Sequence, residues 1–189
     1  LGPRPPAPTL PSSLQADMPG EGTFYLQNVY DSYPPLPDKN ITHLRIVQVL
    51  PKSTPGANNP TVGAANASPG KQVLGTVPVE ADGSAYFRAP AGISLAFQAL
   101  DDSGQAVQIM RSLTYLQSGE TASCVGCHEP RMSAPSSLPS TTAAMGRPPS
   151  EIQPGPDGSL PFSYPILVQP VLDRHCVRCH GDDAVEGLD

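Results

Sequence analysis

The sequence predicts a mainly β protein: an antiparallel β-sandwich or barrel-like domain followed by a short helical segment at the C-terminal end. Three observations carry this expectation. Pro 25 and Gly 17 in a chain of 189 residues leave little room for long helices, because Pro removes a backbone donor and clashes with the preceding turn. Short runs rich in β-branched and aromatic residues recur between Gly-bearing breaks, the spacing of strands joined by tight turns. Near the end, apolar residues fall instead at helical spacing behind a Pro, which suits a first helical turn.

In chain order, residues 1–22 read as an extended N-terminal arm. Residues 23–134 read as the β-rich domain, with strands expected at 24–30 and 41–50. The Pro-rich loop YPPLPDKN joins these two runs, and Ile41, Thr42, Ile46, Val47 and Val49 give the second its β-branched character. The stretch 53–70 is small, polar and dotted with Gly and Pro, which suits a long surface loop. Further strands are expected at 72–79, 84–88, 93–100 and 105–115, broken at Asp82-Gly83, Pro90-Ala91-Gly92 and Ser103-Gly104. Within 93–100, Ile93, Leu95, Phe97 and Ala99 alternate with Ser94, Ala96 and Gln98, as in a strand with one buried face. Residues 135–160 read as a Pro/Ser-rich linker running extended over the surface. Residues 161–189 form the last segment, helical from about Pro170, with Leu167, Val168, Val171 and Leu172 as its apolar face.

Composition bounds the function. Aromatics are 5% and Trp is absent, so a core built from protein alone is thin, and a large flat cofactor would fill what the side chains do not. The net charge is −6, with acids scattered and no basic stripe; nucleic acid is not an expected partner. No run is long and apolar enough to span a membrane. The Pro-rich residues Leu1 to Pro11 lack the charged-then-apolar pattern of a signal peptide.

All four cysteines lie in two copies of one pattern: Cys124-Val-Gly-Cys127-His128 and Cys176-Val-Arg-Cys179-His180. Cys-x-x-Cys-His is the attachment sequence of c-type haem. Two Cys three residues apart on a helical turn project to one side. Each sulfur then adds to one vinyl group, and the adjoining His supplies an axial nitrogen to the iron. The expected cofactors are therefore two covalently bound haem c groups, with His128 and His180 as proximal iron ligands. Three rivals are a four-Cys zinc site, a thioredoxin-like redox pair and two structural disulfides. Zinc-ribbon pairs lie roughly 15–20 residues apart, much closer than Cys127 and Cys176. A thioredoxin-like pair needs a βαβ setting that is not seen here. None of the three explains a His directly after both pairs in a chain with only 4 His. Attachment through thioethers implies maturation outside the cytoplasm, so a periplasmic or other extracytoplasmic location is expected.

The far side of each iron decides between electron transfer and ligand chemistry. Candidate distal ligands are His43, His175, Met110, Met132 and Met145, each weighed against a surface or core-filling role. His175 adjoins Cys176 and is poorly placed to reach the far face of its own haem. His43 falls in an expected strand, opposite the face of Leu44 and Ile46.

At SCVGCHEPR (123–131) and QPVLDRHCVRCHG (169–181), and through ADGSAYFRAPAG and GQAVQIMRSLTYLQSGE, the chain resembles planctomycete dihaem c-type cytochromes related to the hydrazine synthase alpha subunit. The resemblance covers roughly residues 20–189. It implies an all-β domain whose haem-binding loop carries the first haem, then a cytochrome c-like segment carrying the second. It also implies a piece of a longer polypeptide, since the nine residues after His180 are too few to wrap a haem. The family's catalytic haem uses a Tyr four residues beyond the motif His; Met132 stands there in this chain, which favours a plain axial His128 over hydrazine chemistry. The expected function is electron transfer outside the cytoplasm with redox partner proteins. The alternative is a haem enzyme related to hydrazine synthase, acting on a small nitrogen or oxygen species at one open haem.

Overall fold

A computed structural model describes residues 2, 12–51, 70–128, 132, 141–156, 158–159 and 163–180. The chain is mainly β. Among the described residues seven strands form two sheets: β1 (Glu21–Leu26), β2 (Ile41–Val49), β3 (Lys71–Pro78), β4 (Ala85–Pro90), β5 (Leu95–Asp101), β6 (Ala106–Ile109) and β7 (Thr121–Cys124). One sheet has the order β4-β1-β7 and the other β3-β2-β5-β6. All pairings between these strands are antiparallel except β1 with β7, which is parallel.

The sheets face each other across one apolar cluster. Phe24, Leu26, Ala85, Phe87 and Ala89 come from the first sheet; Ile41, Leu44, Ile46, Val77, Leu95 and Ala99 come from the second. Only 4 Phe are present in the chain, and three of them meet in this layer. The rings of Phe24 and Phe97 are 5.0 Å apart, those of Phe87 and Phe97 5.7 Å, both edge-on. Edge-to-face pairs of this kind add about 0.5–1.5 kcal/mol beyond their area burial. A core poor in aromatics thus concentrates them where the two sheets touch.

The turns follow from side-chain chemistry. Asp82 Oδ1 accepts hydrogen bonds from the Ser84 amide (3.0 Å) and hydroxyl (2.5 Å). Asp101 Oδ1 does the same with the Ser103 amide and hydroxyl and with the Gln105 amide. Gly83 (φ 82°) and Gly104 (φ 77°) take the left-handed conformation these turns require.

β7 was not expected as a strand, and strand limits differ most from the sequence expectation at two places. The first strand spans Glu21–Leu26 rather than 24–30, because beyond Leu26 the chain bends to follow residues 124–128. The run expected at 105–115 pairs with β5 only as far as Ile109; the β5–β6 register shifts between Ala99 and Leu100, and Thr114 returns alone to bridge Leu95. In β5 the inward residues Leu95 and Ala99 are buried as the alternation predicts, but Ala96 and Leu100 are buried too, so both faces of this strand are covered.

Residues 141–155, part of the Pro/Ser-rich stretch, lie along the sandwich. After a 3-10 turn at Ala143–Gly146, Ser150 bridges Phe87 of β4 in parallel, and Gln153 bridges Thr76 of β3 in antiparallel fashion. The C-terminal segment is helical: one wide turn at Tyr164–Val168, then α1 (Gln169–His175) and α2 (Val177–His180). It begins earlier than Pro170.

Candidate functional site

The first motif sits at the end of a strand. Cys124 closes β7 opposite Leu26 of β1, and residues 125–127 form a bend rather than the helical turn that the Cys spacing suggests. The reason lies in the neighbouring chain. Past Leu26, residues 27–33 run beside the motif and take up its backbone groups in turn. The Gln27 amide donates to the Cys124 carbonyl (2.9 Å) and the Asn28 amide to the Val125 carbonyl (3.0 Å). The Cys127 amide donates to the Asp31 carbonyl (3.0 Å), and the Tyr33 amide donates to the His128 carbonyl (2.6 Å). The motif therefore extends the β1–β7 ladder, with a parallel bridge from Ser32 to His128.

Gly126 is the residue this arrangement demands. A Cβ at that position would run into the Asp31 carbonyl oxygen and side chain. Cys124 and Cys127 are half-buried and pack against the apolar core cluster. His128 and Tyr33 are exposed beside them, Tyr33 by 61%. Half-buried thiols on an apolar rim, with an imidazole one residue on, form a donor set that fits a thioether-tethered haem. Asn28, Asp31 and Tyr33 were not legible as site residues: Asn28 falls within the strand expected at 24–30, and the loop after it gave no signal beyond its Pro content.

The second motif has the local geometry its spacing predicts and a different setting. The Cys176 amide donates to the Leu172 carbonyl (2.8 Å), and the Cys179 and His180 amides both donate to the Cys176 carbonyl (2.9 Å each). Cys176 and Cys179 thus lie one helical turn apart. No residue of α1 or of the turn before it is buried. Tyr164 (52%), Ile166 (73%) and Val171 (54%) are exposed. The expected apolar face of Leu167, Val168, Val171 and Leu172 is present, with none of it buried. A thiol pair on such a helix also fits a tethered haem, whose face would cover exposed apolar carbon.

The candidate distal ligands are scattered. His43 is exposed on β2, opposite buried Leu44 and Ile46, with Nδ1 3.0 Å from the Thr42 hydroxyl. His175 is exposed at the end of α1. Met110 is half-buried just after β6. Met132 is exposed by 97%, and Met145, in the 3-10 turn, by 53%. Among the described residues no three His, Cys, Asp or Glu side chains converge into a metal-binding group. A surface groove of about 550 Å³ between Ala91–Ser94 and Tyr115–Ser118 holds none of the candidate residues.

Residues 39–129 match the hydrazine synthase alpha subunit middle domain. The matched stretch holds β2 to β7 and ends one residue past His128. Among solved structures, Kuenenia stuttgartiensis hydrazine synthase is similar, with 20% identity and a TM-score of 0.66. That likeness covers 90% of this chain and 31% of the hydrazine synthase chain, so the present chain spans about a third of its relative's length. No curated protein matches the sequence. The similarity to the hydrazine synthase alpha middle domain thus lies in residues 39–129, the part that presents the first motif. Among the described residues no helix is long and apolar enough to cross a membrane.

Proposed function

We propose that this hydrazine synthase-like chain is a dihaem c-type electron-transfer module working outside the cytoplasm. Cys124 and Cys127 would tether one haem and Cys176 and Cys179 the other, with His128 and His180 as the proximal imidazoles. Bound there, haem supplies a one-electron couple at its iron. The chain's own contribution is to hold and orient. At the first site four main-chain hydrogen bonds with residues 27–33 hold the backbone of residues 124–128. At the second, the helical turn aligns the thiols on one side. Redox partner proteins are the implied reactants, and a periplasmic or similar compartment follows from thioether maturation. The 31% coverage of its structural relative supports a place within a longer polypeptide.

The observation that carries this reading is the repeat of Cys-x-x-Cys-His, once on a preformed main-chain clamp and once on an otherwise unburied helix. The family match favours a second reading, in which one haem keeps an open position and acts on a small nitrogen or oxygen species. Maturation in a host that builds c-type cytochromes decides the cofactor. The purified protein should be red and heavier than its polypeptide by two haems under denaturing conditions; a colourless protein of polypeptide mass overturns both readings. Carbon monoxide added to the reduced protein then separates them. The carrier reading expects no binding, and stoichiometric binding at one haem favours the enzyme.

A further inference from the structure

The stretch between the two motifs contains a segment built to be held. Residues 142–153 run away from the first-motif end of the sandwich, along the seam where β4 and β3, one edge strand from each sheet, come together. Near the start, the Ala143 amide donates to Asp82 Oδ2 (2.7 Å), and the Ala144 amide donates to the Ser84 hydroxyl (3.0 Å). Thr142 Oγ1 and Tyr25 Oη are hydrogen-bonded at 2.9 Å. Arg147 Nε meets Glu80 Oε1 at 2.7 Å, and its guanidinium also donates to the Tyr86 carbonyl (3.2 Å). The Ser150 amide donates to Tyr86 and the Arg88 amide to Ser150; the Thr76 and Gln153 amides and carbonyls exchange two bonds of 2.8 and 2.9 Å. Beyond that, Gln72 of β3 donates to the Ser159 carbonyl.

Edge strands leave unpaired amides and carbonyls, and covering them is a recurrent need of β proteins. Here one segment covers both edges on the same side. Its direction matters. The first motif lies at the end of the sandwich where β1 finishes and β4 begins. Gln72 and Ser159 lie at the other end, because β3 begins there and reaches Pro78 beside β4. The eight residues of β3 span roughly 25 Å at the usual strand rise. Five residues after Ser159 the second motif's helical segment begins.

We propose that residues 142–153 are a positioning strap that fixes the origin of the second motif's segment at the end of the sandwich opposite the first motif, and so sets the spacing of the two cofactor sites. Gly75 is the fastener. A Cβ there would meet the Gln153 main chain and the Ile152 side chain, so only Gly lets β3 and the strap close. The inference rests on the dihaem reading for the identity of what is spaced, though not for the strap itself.

The test compares wild-type holoprotein with Gly75→Val and, since that change could disturb β3, with Gln153→Pro in the strap alone. Intact mass reports haem content in each. Hydrogen exchange at the Thr76, Arg88 and Ser150 amides should rise at least tenfold in both variants, and at the Gln153 amide in Gly75→Val, while core amides of β2 and β5 stay protected. Pulsed dipolar resonance between the two ferric haems should give a narrow distance distribution for wild type and a broadened one for the variants. An unchanged distribution with the strap released overturns the proposal. If the protein proves haem-free, the dihaem reading fails separately. The strap is then judged by solution scattering: strap release with an enlarged radius of gyration supports it, and strap release with an unchanged radius overturns it.

Discussion

At the residue scale, the first motif turns on Gly126. Its position in Cys-Val-Gly-Cys-His reads as arbitrary from the sequence, because the two middle residues of the motif carry no chemistry. Packing gives the reason: the Asp31 carbonyl occupies the volume a side chain would need. Gly126→Ala should cost about 1–3 kcal/mol, the usual penalty of overpacking. A urea unfolding series would register it as a lowered midpoint, together with faster exchange of the Cys127 and Tyr33 amides. Asp82 makes a second case. Desolvation pushes its carboxyl up, but the Ala143 amide and the hydroxyl and amide of Ser84 together outweigh that and hold it below the usual carboxylate range. The Ser103 hydroxyl and Gln105 amide hold Asp101 low as well, against desolvation and with help from the Ser103 amide and Lys39. A carboxyl depressed in the folded state lends stability above its unfolded value, here 3.8, and loses it as pH falls through the folded value. The melting temperature should therefore drop on acidification below about pH 4, and Asp82→Asn should flatten part of that acid limb.

At the element scale, the two motifs contrast. The first is an extension of a parallel ladder and owes its shape to residues 27–33. The second owes its shape to a helical turn alone, and no residue of α1 is buried. Isolated helices of this length are marginal in water. Haem would therefore stabilise the second segment far more than the first. In a Cys176→Ala/Cys179→Ala protein carrying only the first haem, amides of 169–180 should exchange near the rate of an unfolded peptide, while Gln27, Asn28 and Cys127 keep wild-type protection. Equal protection in both proteins would show that the second segment is held by protein contacts. The strap belongs to this scale too: 141–155 reads as linker by composition, yet its amides and carbonyls are those that complete two sheet edges.

At the scale of the whole molecule, stability rests on the layer where the sheets meet. Phe87 is 1% exposed and in ring contact with both Phe24 and Phe97, so its side chain fills the centre of that layer. Phe87→Ala should cost about 3–5 kcal/mol, the range for deleting a buried Phe. Denaturant unfolding would measure it, and a loss under 1 kcal/mol would mean the core sits elsewhere.

The sequence by itself determined the β class, most strand positions, the helical end and the two Cys-x-x-Cys-His motifs, because period-2 alternation, Gly-bearing turns and motif spacing are all local properties. It left unread the parallel partnership of β7 with β1, the clamp of residues 27–33 on the first motif and the strap across β3 and β4. Those depend on contacts between segments far apart in the chain, most of them through main-chain groups. Every non-proline residue offers the same amide and carbonyl to such bonds, so residue identity does not reveal which pairs form. The tertiary structure alone decides that Gly126 and Gly75 are obligatory, since the atoms that exclude a side chain at each come from elsewhere in the chain.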